Sequence, residues 1–577
     1  NAYVREHLLP RLHGFELMMA PYAIAHMKIG LKLAETGYTF PEDGPRVNVF
    51  LTNTLEPPHE IQPQLEAMAP MLAHEARAAN LTKERLSTTV IIGNPPYAGH
   101  SVNNNVPSIV DAVHEYKRGY PDLQKPGQGK WLQNDYVKFI RFAELRLIGT
   151  GIGILGFITD HSYLDNPTFK GMRRHLRASF PWLRIADLHG NSKKKERTAT
   201  GGKDESVFAI TQGTAVGLFA CGPGLEPSEM DFNLFGTASF KFEALLSRPL
   251  TQQHLHVLNP TEPFWLFKQQ EQAGRKHYET GWPLPQIFDR NGDPAPGLVT
   301  THDQFAISWD AREARRKVEA LLATSNEAEA RELFQLCTQN QWNYARAKQE
   351  LADGKWKRKI VPILYRPFDT RVTVYDSNVA VHRRQRMSSH LLSGNNVSLV
   401  CVRQVAEGVF SHALPSRTIV DNRCTFSSKG IAIQYPLWLY SGDAHRADLH
   451  DDDLISKLPG HSANLNPAFV TALREAMGLG ESAWQPEKSA APLNAEKVFH
   501  YLYAVLHSPQ YRQRYAGFLR IDFPRIPVPG SRALFDVLST LGGQLVQWHL
   551  LEHATAVEIT TTTALEGVNV PAVFGYD

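Results

Sequence analysis

The residues best suited to chemistry are Asn94, Pro95, Pro96 and Tyr97, which directly follow the apolar run 90–92. The Asn94 side-chain oxygen and the Pro95 carbonyl oxygen can each accept one N–H of a planar amino group. The lone pair of such a nitrogen is delocalised, and two fixed acceptors favour a pyramidal, nucleophilic nitrogen. The fixed φ of proline holds the carbonyl acceptor in place. The tetrapeptide therefore predicts methyl transfer to an amino nitrogen, with Tyr97 stacking on a base that has left the duplex. The simpler interpretation is a strand that ends at a proline turn.

Alternating strand and helix patterns over residues 1–220 would position this turn. They predict a Rossmann-like, doubly wound α/β sheet of parallel strands, which the run 216–220 closes. One predicted helix carries its apolar face on Ala20, Ile24, Met27 and Leu31. The other predicted elements are strands at 13–16, 47–51, 88–92, 153–159 and 183–188, and helices at 135–148 and 169–179.

The pattern changes after residue 225 to Pro-rich connections, polar helices and short β-like runs. We predict helices at 311–323, 327–351 and 495–516 and strands at 370–375 and 397–402. This mixture indicates an α+β domain. The predicted division is a first domain over 1–245 and a second over 246–577.

Charge is concentrated in two segments, although the formal net charge of the whole chain is only +3. Residues 170–203 hold ten Lys or Arg and two acids, and residues 355–430 hold thirteen Lys or Arg and four acids. Such a segment is often a solvated surface, but two of them favour a polyanionic partner.

Composition and motifs narrow the class of protein. A hydrophobic fraction of 42% and a charged fraction of 21% are those of a globular chain rather than a disordered one. Four widely spaced cysteines predict a reducing, cytoplasmic location, and no run is long enough to span a membrane. The 24 histidines show no HExxH spacing, so we predict no metal site. The chain begins with Asn1 rather than Met, which predicts missing upstream residues.

The order of these features resembles that of gamma-type adenine-N6 DNA methyltransferases, which use S-adenosylmethionine. Residues 134–136 resemble the fifth motif of that family, 153–159 the sixth and 207–208 the eighth. The resemblance implies that Glu16 bonds the cofactor ribose hydroxyls and that Phe208 packs on the flipped adenine. Asn53 stands where the family usually has an Asp toward the cofactor adenine.

Longer blocks narrow the resemblance to the methyltransferase and target-recognition parts of Type ISP restriction-modification enzymes. These blocks are residues 14–33, 187–196, 205–213, 365–371 and 501–515 with the PRIP that follows at 524–527. The resemblance implies a methyltransferase domain that lacks its N-terminal part, a DNA-specificity domain, and nuclease and helicase domains upstream. The glycine-rich first motif and a GxxxxGK[ST] phosphate loop are both absent from this sequence.

The sequence thus predicts a site-specific adenine-N6 DNA methyltransferase of a restriction-modification system, with double-stranded DNA as partner. Lysines favour phosphates, whereas arginines contact either phosphates or guanine edges. Two alternatives stay open: a non-catalytic DNA-specificity module, and a protein glutamine methyltransferase. The candidate DNA contacts are Lys193, Lys194, Lys195, Arg366, Arg371, Arg383, Arg384, Arg386 and Arg403. For Arg371 a structural ion pair with Asp369 is an equal alternative.

Overall fold

The protein is represented by a computed structural model in which the chain divides into two compact units, Asn1–Gln270 and Glu271–Asp577. Among the described residues, no helix is both long and apolar enough to cross a lipid bilayer. The described residues are 2–41, 46–59, 69–85, 87–97, 101, 103–124, 129–192, 196–198, 201–247, 249, 254–269, 274–288, 295–337, 341–392, 395–405, 408–425, 430–440 and 460–552.

The first unit alternates strands and helices as the apolar pattern predicts. Its strands are β1 His13–Glu16, β2 Asn48–Leu51, β3 Val90–Gly93, β4 Gly153–Asp160, β5 Trp182–His189, β6 Thr214–Cys221, β7 Ser228–Asn233 and β8 His256–Val257. Its helices are α1 Met19–Glu35, α2 Pro70–Arg85, α3 Pro107–His114, α4 Pro121–Gln124, α5 Asp135–Thr150, α6 Lys170–Ser179 and α7 Ala238–Ser247.

These strands form two separate sheets, and the larger one contains both parallel and antiparallel pairs. The prediction of one parallel sheet is therefore wrong. β1 and β2 make a parallel pair, and the six-stranded sheet has the order β3-β4-β6-β5-β7-β8. β3 runs parallel to β4, but β6 is antiparallel to both β4 and β5. A parallel return after β5 needs a crossover, usually a helix, and the described residues between β5 and β6 form none.

β6 also does not close the sheet as predicted, since it lies between β4 and β5. Its Ala215 and Phe219 are buried in the sheet interior. A continuous apolar run indicates burial on both faces but not the position of a strand in the sheet order.

The first unit extends past the predicted boundary at 245 to Gln270. β8 pairs with β7, and Leu258 and Phe267 join the core formed around α5 and β4. Fully buried Arg173 donates hydrogen bonds to the carbonyl oxygens of Phe264 and Trp265. Residues 254–269 therefore complete this core.

Helix α1 buries a different face from the predicted one. The predicted face, Ala20, Ile24, Met27 and Leu31, is exposed. The packed side chains are Leu33, which is buried, with Tyr22, Ala25 and Ile29 against the same cluster. Apolar residues at helical spacing occur on two sides of α1, so periodicity alone could not select the buried side.

The second unit combines short strands with helices and is the predicted α+β domain in this coarse sense. Its strands are β9 Trp282–Pro283, β10 Ala295–Pro296, β11 Ile307–Ser308, β12 Ile360–Arg366, β13 Asp369–Val374, β14 Ser398–Val402, β15 Ala413–Ser416, β16 Ile419–Val420, β17 Ala432–Pro436, β18 Trp438–Tyr440, β19 His461–Ala463 and β20 Arg525–Ile526. Its helices are α8 Arg275–Glu279, α9 Leu284–Ile287, α10 Asp303–Ala306, α11 Ala311–Ala323, α12 Glu327–Phe334, α13 Tyr344–Leu351, α14 Gln385–Leu392, α15 Pro467–Ala476, α16 Ala495–His507, α17 Pro509–Arg514, α18 Ala516–Leu519 and α19 Arg532–His549.

Two four-stranded sheets organise this unit, with orders β10-β17-β14-β15 and β11-β13-β12-β16. The largest core cluster of the unit includes residues of α15, α16 and α19. The two longest predicted helices are each divided. Gln335 ends α12 with a φ of 49°, and Ser508 caps α17, whose first residue is Pro509.

Candidate functional site

The Asn-Pro-Pro-Tyr turn follows β3 at its carboxyl end. Because β3 runs parallel to β4 with Gly93 opposite Phe157, the turn starts beside Ile158. Asn94 is exposed, Pro95 is buried and Tyr97 is half-buried. Ligands of open α/β sheets bind outside the carboxyl ends of the strands, which is where this turn lies.

The Tyr97 hydroxyl lies between two acceptors. It is 2.5 Å from Asn94 Oδ1 and 3.3 Å from the Ile158 carbonyl oxygen. Burial, and then the charge of Asp160, raise the pKa of Tyr97 to about 12. The phenol therefore stays protonated near neutral pH and acts as a hydrogen-bond donor to one of the two oxygens.

The structure brings Phe208 to this turn. The Tyr97 and Phe208 ring centroids are 6.2 Å apart, and the ring planes are tilted by 35°. Phe208 is half-buried and packs against the cluster that includes Val207 and Leu188. Two rings from distant parts of the sequence thus meet at this turn.

A buried ion pair that the sequence analysis missed holds the segment that carries Phe208. Lys241 Nζ lies 3.0 Å from the Asp204 carboxylate, and both side chains are 0% exposed. The backbone N–H groups of Gly190 and Gly236 each donate to that carboxylate at 2.6 Å. Lys241 also donates to the carbonyl oxygens of Leu188 and of Glu205 in this segment. The acids preceding Val207 were the only sequence signal for this pair.

Glu16 lies at the carboxyl end of β1, level with Leu51 of β2. Its half-buried carboxylate accepts a hydrogen bond from the Met18 backbone N–H at 2.8 Å. A carboxylate has about four lone-pair sites, so this group retains acceptor capacity for hydroxyl groups. Glu16 therefore fits the predicted ribose contact.

The Asn53 amide is already engaged. Its Nδ2 donates to Asn103 Oδ1 at 2.8 Å and to Glu56 Oε1 at 3.2 Å, and its Oδ1 accepts from the Leu55 N–H at 3.1 Å. Its Oδ1 has a second lone pair, which can accept from the amino group of a cofactor adenine. The structure therefore leaves room for the predicted adenine contact as well as for the ribose contact.

Helix α5 holds residues that follow the Asn-Pro-Pro-Tyr turn, among them Asn103. Asp135, at the start of α5, accepts hydrogen bonds from Ser101 Oγ at 2.6 Å and from Asn103 Nδ2 at 2.9 Å. Lys138, one turn later, donates to Ser101 Oγ at 2.7 Å. These bonds attach the residues after the Asn-Pro-Pro-Tyr turn to α5 and, through Asn103, to the end of β2.

Buried Lys83 supports the loop that contains Asn53, and the sequence analysis also missed this residue. Its Nζ donates to Thr52 Oγ1 at 2.9 Å, to the Asn53 carbonyl oxygen at 2.7 Å and to the Glu56 carbonyl oxygen at 3.0 Å. Burial lowers the pKa of Lys83 to about 8 from an ordinary 10.5. A lysine in a polar-faced helix gave no sequence signal for this role.

Replacing Lys83 by Met should reveal this burial through pH. Between pH 8 and 10 the unfolded chain still binds the proton that native Lys83 releases, so rising pH relieves the cost of burying the charge. We expect the unfolding free energy of wild type, relative to that of Lys83→Met, to rise by up to about 1.4 kcal/mol per pH unit. Urea unfolding of both proteins at pH 7, 8, 9 and 10 measures this difference. A pH-independent difference would contradict the lowered pKa.

His161, Asp187 and His189 form a buried cluster after β4 and at the end of β5, and their ligand atoms lie within 4.8 Å of one another. His161 Nδ1 is 3.0 Å from Asp187 Oδ1, and Lys268 Nζ is 2.9 Å from Asp187 Oδ2. Burial opposes ionisation of Asp187, but the charge of Lys268 and then His161 hold its pKa well below its ordinary value. The spacing would suit a metal that the sequence analysis did not predict. The Lys268 ammonium already balances this carboxylate, so we read the cluster as a structural ion pair.

Most of the described basic side chains of segment 170–203 serve structural contacts rather than a polyanion surface. Lys170 pairs with Asp122 and Arg177 with Glu229, while Arg173 is fully buried. The charge pattern of the sequence could not show these partners because they are distant along the chain. Lys193, Lys194 and Lys195 lie outside the described residues.

Three of the candidate arginines in the second unit are ion-paired. Arg366 lies 2.8 Å from Asp421, Arg371 lies 2.9 Å from Asp369, and Arg403 lies 2.7 Å from Asp522. The guanidinium of Arg371 also stacks 3.7 Å from the ring centroid of Trp309. Their positive charge is balanced locally, which makes them weaker candidates for contacting a polyanion.

Arg384 differs from these three. Its Nε is buried and has no hydrogen-bond partner among the described residues, and its φ is 52°. A non-glycine residue in this left-handed region is strained, and such strain concentrates at functional sites. Neighbouring Arg386 is exposed, and the Arg383 guanidinium lies 5.5 Å from the Tyr375 ring centroid.

Most of the second unit matches a known protein family. Residues 292–576 match the family model of the Type ISP C-terminal specificity domain. No curated protein matches this sequence.

Three solved structures are similar to this chain over both units. A DrdV–DNA complex solved by cryo-EM has 22% identity and a TM-score of 0.68, covering 95% of this chain and 52% of its own. A nuclease-deletion mutant of the Type ISP restriction-modification enzyme LlaGI, in complex with a DNA substrate mimic, has 18% identity and a TM-score of 0.64, covering 93% and 41%. The ATP-dependent Type ISP enzyme LlaBIII bound to DNA has 17% identity and a TM-score of 0.67, covering 93% and 35%.

At these identities the similarity concerns the fold, and this chain spans at most about half of the length of each of the three proteins. The fold is mixed α/β with several sheets, as in the Type ISP enzymes. Residues 292–576 therefore match a Type ISP C-terminal specificity domain, in a chain whose fold is similar to that of Type ISP restriction-modification enzymes.

Proposed function

We propose that this chain is the methyltransferase and target-recognition part of a restriction-modification enzyme, and that it methylates the N6 amino group of an adenine flipped out of specific DNA. The observation that carries the proposal is the position of Asn94 at the carboxyl end of β3, where its side chain bonds Tyr97 and the Tyr97 ring meets Phe208. This arrangement supplies an acceptor for the amino group and aromatic faces for a base.

These residues would act by positioning the amino group for methyl transfer. Asn94 Oδ1 and the Pro95 carbonyl oxygen would accept the two N–H bonds of the adenine amino group and favour its nucleophilic geometry. No strong base is needed, because the amino proton becomes acidic only after methyl transfer. Tyr97 and Phe208 would stack on the flipped base.

S-adenosylmethionine, the proposed cofactor, supplies the methyl group. Glu16 would hold its ribose hydroxyls, since its carboxylate retains acceptor capacity at the carboxyl end of β1. The parallel pairs β1–β2 and β3–β4 would then belong to one Rossmann-like methyltransferase domain, with these side chains at their carboxyl ends.

The second unit would select the DNA target. Its match to a specificity domain supports this role, as do the three similar proteins, each of which was solved with DNA or a DNA mimic. Arg384 is the first candidate for a DNA contact, because its guanidinium has no ion-pair partner among the described residues, whereas Arg366, Arg371 and Arg403 are paired.

Replacing Arg384 by Asn should weaken DNA binding about three- to tenfold and lower the slope of log affinity against log salt by about one. Asn removes the charge and tolerates the left-handed backbone at this position. Fluorescence anisotropy with a labelled duplex at several salt concentrations measures both quantities. Arg403→Asn is the matched control, since Arg403 is paired with Asp522. Equal effects of the two variants would remove Arg384 from the interface.

The decisive experiment for the activity is incubation of the purified chain with plasmid DNA and methyl-labelled S-adenosylmethionine. We expect label in DNA at the N6 position of adenine, and sequencing of the modified sites gives the target. Label that enters only protein would favour a glutamine methyltransferase. DNA binding without any label would favour a non-catalytic specificity module. Either result overturns the proposal.

A further inference from the structure

The Tyr97 hydroxyl occupies the acceptor that the proposed reaction requires. Its distance to Asn94 Oδ1 is 2.5 Å, within the range of a short O–H···O hydrogen bond. Asn94 Oδ1 is therefore engaged by this chain's own phenol. The target amino group would have to share or replace that bond.

The aromatic spacing indicates that the pocket is closed to a sandwiched base. A planar base stacked between two rings needs roughly 7 Å between them, because each contact takes about 3.5 Å. The Tyr97 and Phe208 centroids are only 6.2 Å apart, and the rings are not parallel. Entry of a base between them thus requires one ring to shift, and a shift of Tyr97 changes its hydroxyl contacts.

A second acceptor lies within hydrogen-bonding distance of the Tyr97 hydroxyl. The Ile158 carbonyl oxygen, at the carboxyl end of β4, lies 3.3 Å from it. A phenol has one proton and donates fully to one oxygen at a time. Moving from Asn94 to Ile158 keeps the half-buried hydroxyl bonded, so the change costs the difference in strength between a hydrogen bond of 2.5 Å and one of 3.3 Å.

We propose that the Tyr97 hydroxyl is a two-position switch, which donates to Asn94 Oδ1 until the target amino group takes that oxygen and then donates to the Ile158 carbonyl oxygen. This inference rests on the proposed function. The hydroxyl is a positioning group: it holds the Asn94 acceptor ready and restrains entry of a base, whereas the ring of Tyr97 provides stacking.

The test separates the hydroxyl from the ring with two variants, Tyr97→Phe and Tyr97→Ala. The probe is a duplex with 2-aminopurine at the adenine that labelling of plasmid DNA has identified. 2-Aminopurine has no 6-amino group, so its entry breaks the Tyr97–Asn94 bond without replacing it. Tyr97→Phe lacks that bond and should bind this duplex about three- to tenfold more tightly than wild type, with a larger fluorescence increase. Tyr97→Ala should bind it more weakly because the stacking face is lost.

Steady-state kinetics with natural duplex give a second readout that a merely structural hydroxyl would not produce. We expect the KM for DNA of Tyr97→Phe to fall by a similar factor. Unchanged or weaker binding of the 2-aminopurine duplex by Tyr97→Phe would overturn the switch, as would a fall in kcat with KM unaltered. The proposed function fails separately, when wild type transfers no label to DNA.

Discussion

Replacing Asn94 by Ala is expected to lower the rate of methyl transfer to DNA by about 10²–10³-fold while the chain still binds DNA. Removal of one preorganised acceptor has an effect of this size when the acceptor stabilises charge that develops in the transition state. Asn94 is exposed at the end of β3, so its truncation leaves no cavity in the core. Initial rates of label incorporation and anisotropy with the same duplex measure the two quantities.

Asn94→Asp is the matched control for this prediction. The carboxylate is nearly isosteric with the amide and keeps an acceptor oxygen in the same position. We expect its transfer rate to lie between those of wild type and Asn94→Ala. A rate of Asn94→Ala close to that of wild type would exclude Asn94 from the reaction, and loss of DNA binding would indicate that the substitution acts through folding.

Replacing Lys241 by Met should destabilise the first unit by about 3–5 kcal/mol. The substitution leaves the Asp204 carboxylate buried without its cationic partner, which is the costly way to break such a pair. Both side chains are fully buried, and Lys241 also serves two backbone carbonyl oxygens. Urea unfolding followed by circular dichroism measures the change.

Two further variants identify the cause of that loss. The double variant Asp204→Asn with Lys241→Met removes both charges and should recover part of the stability, because no unpaired ion remains. Lys32→Met removes the charge of an exposed pair with Glu35 and should change stability by at most about 1 kcal/mol. Equal losses for Lys241→Met and the double variant would show that packing, and not the buried charge, carries the effect.

Local sequence patterns located much of the secondary structure of the first unit. The predicted strands at 88–92, 153–159 and 183–188 lie within one or two residues of β3, β4 and β5, and helix 135–148 corresponds to α5. Apolar runs and helical periodicity indicate which segments form strands and helices, and proline sets where β3 ends. They do not fix burial, since β3 itself is mostly exposed. These properties depend on neighbours along the chain.

The same patterns do not determine how those elements are arranged in three dimensions. The insertion of β6 between β4 and β5, and the exposed face of α1, both depend on which surfaces meet in three dimensions. Periodicity indicates that a segment is buried but does not identify the segment that covers it.

The sequence by itself determined which chemical groups are present: an Asn-Pro-Pro-Tyr turn at the end of an apolar strand, an acid at the end of an earlier strand, and a Phe for an aromatic pocket. Only the tertiary structure decided that Tyr97 meets Phe208 and bonds Asn94, that Lys83 and Lys241 support the two loops, and that Arg366 and Arg403 are paired. The physical reason is the range of the interactions. A turn depends on adjacent residues, whereas the partner of a charge or a ring comes from wherever the fold brings one, and burial strengthens that contact.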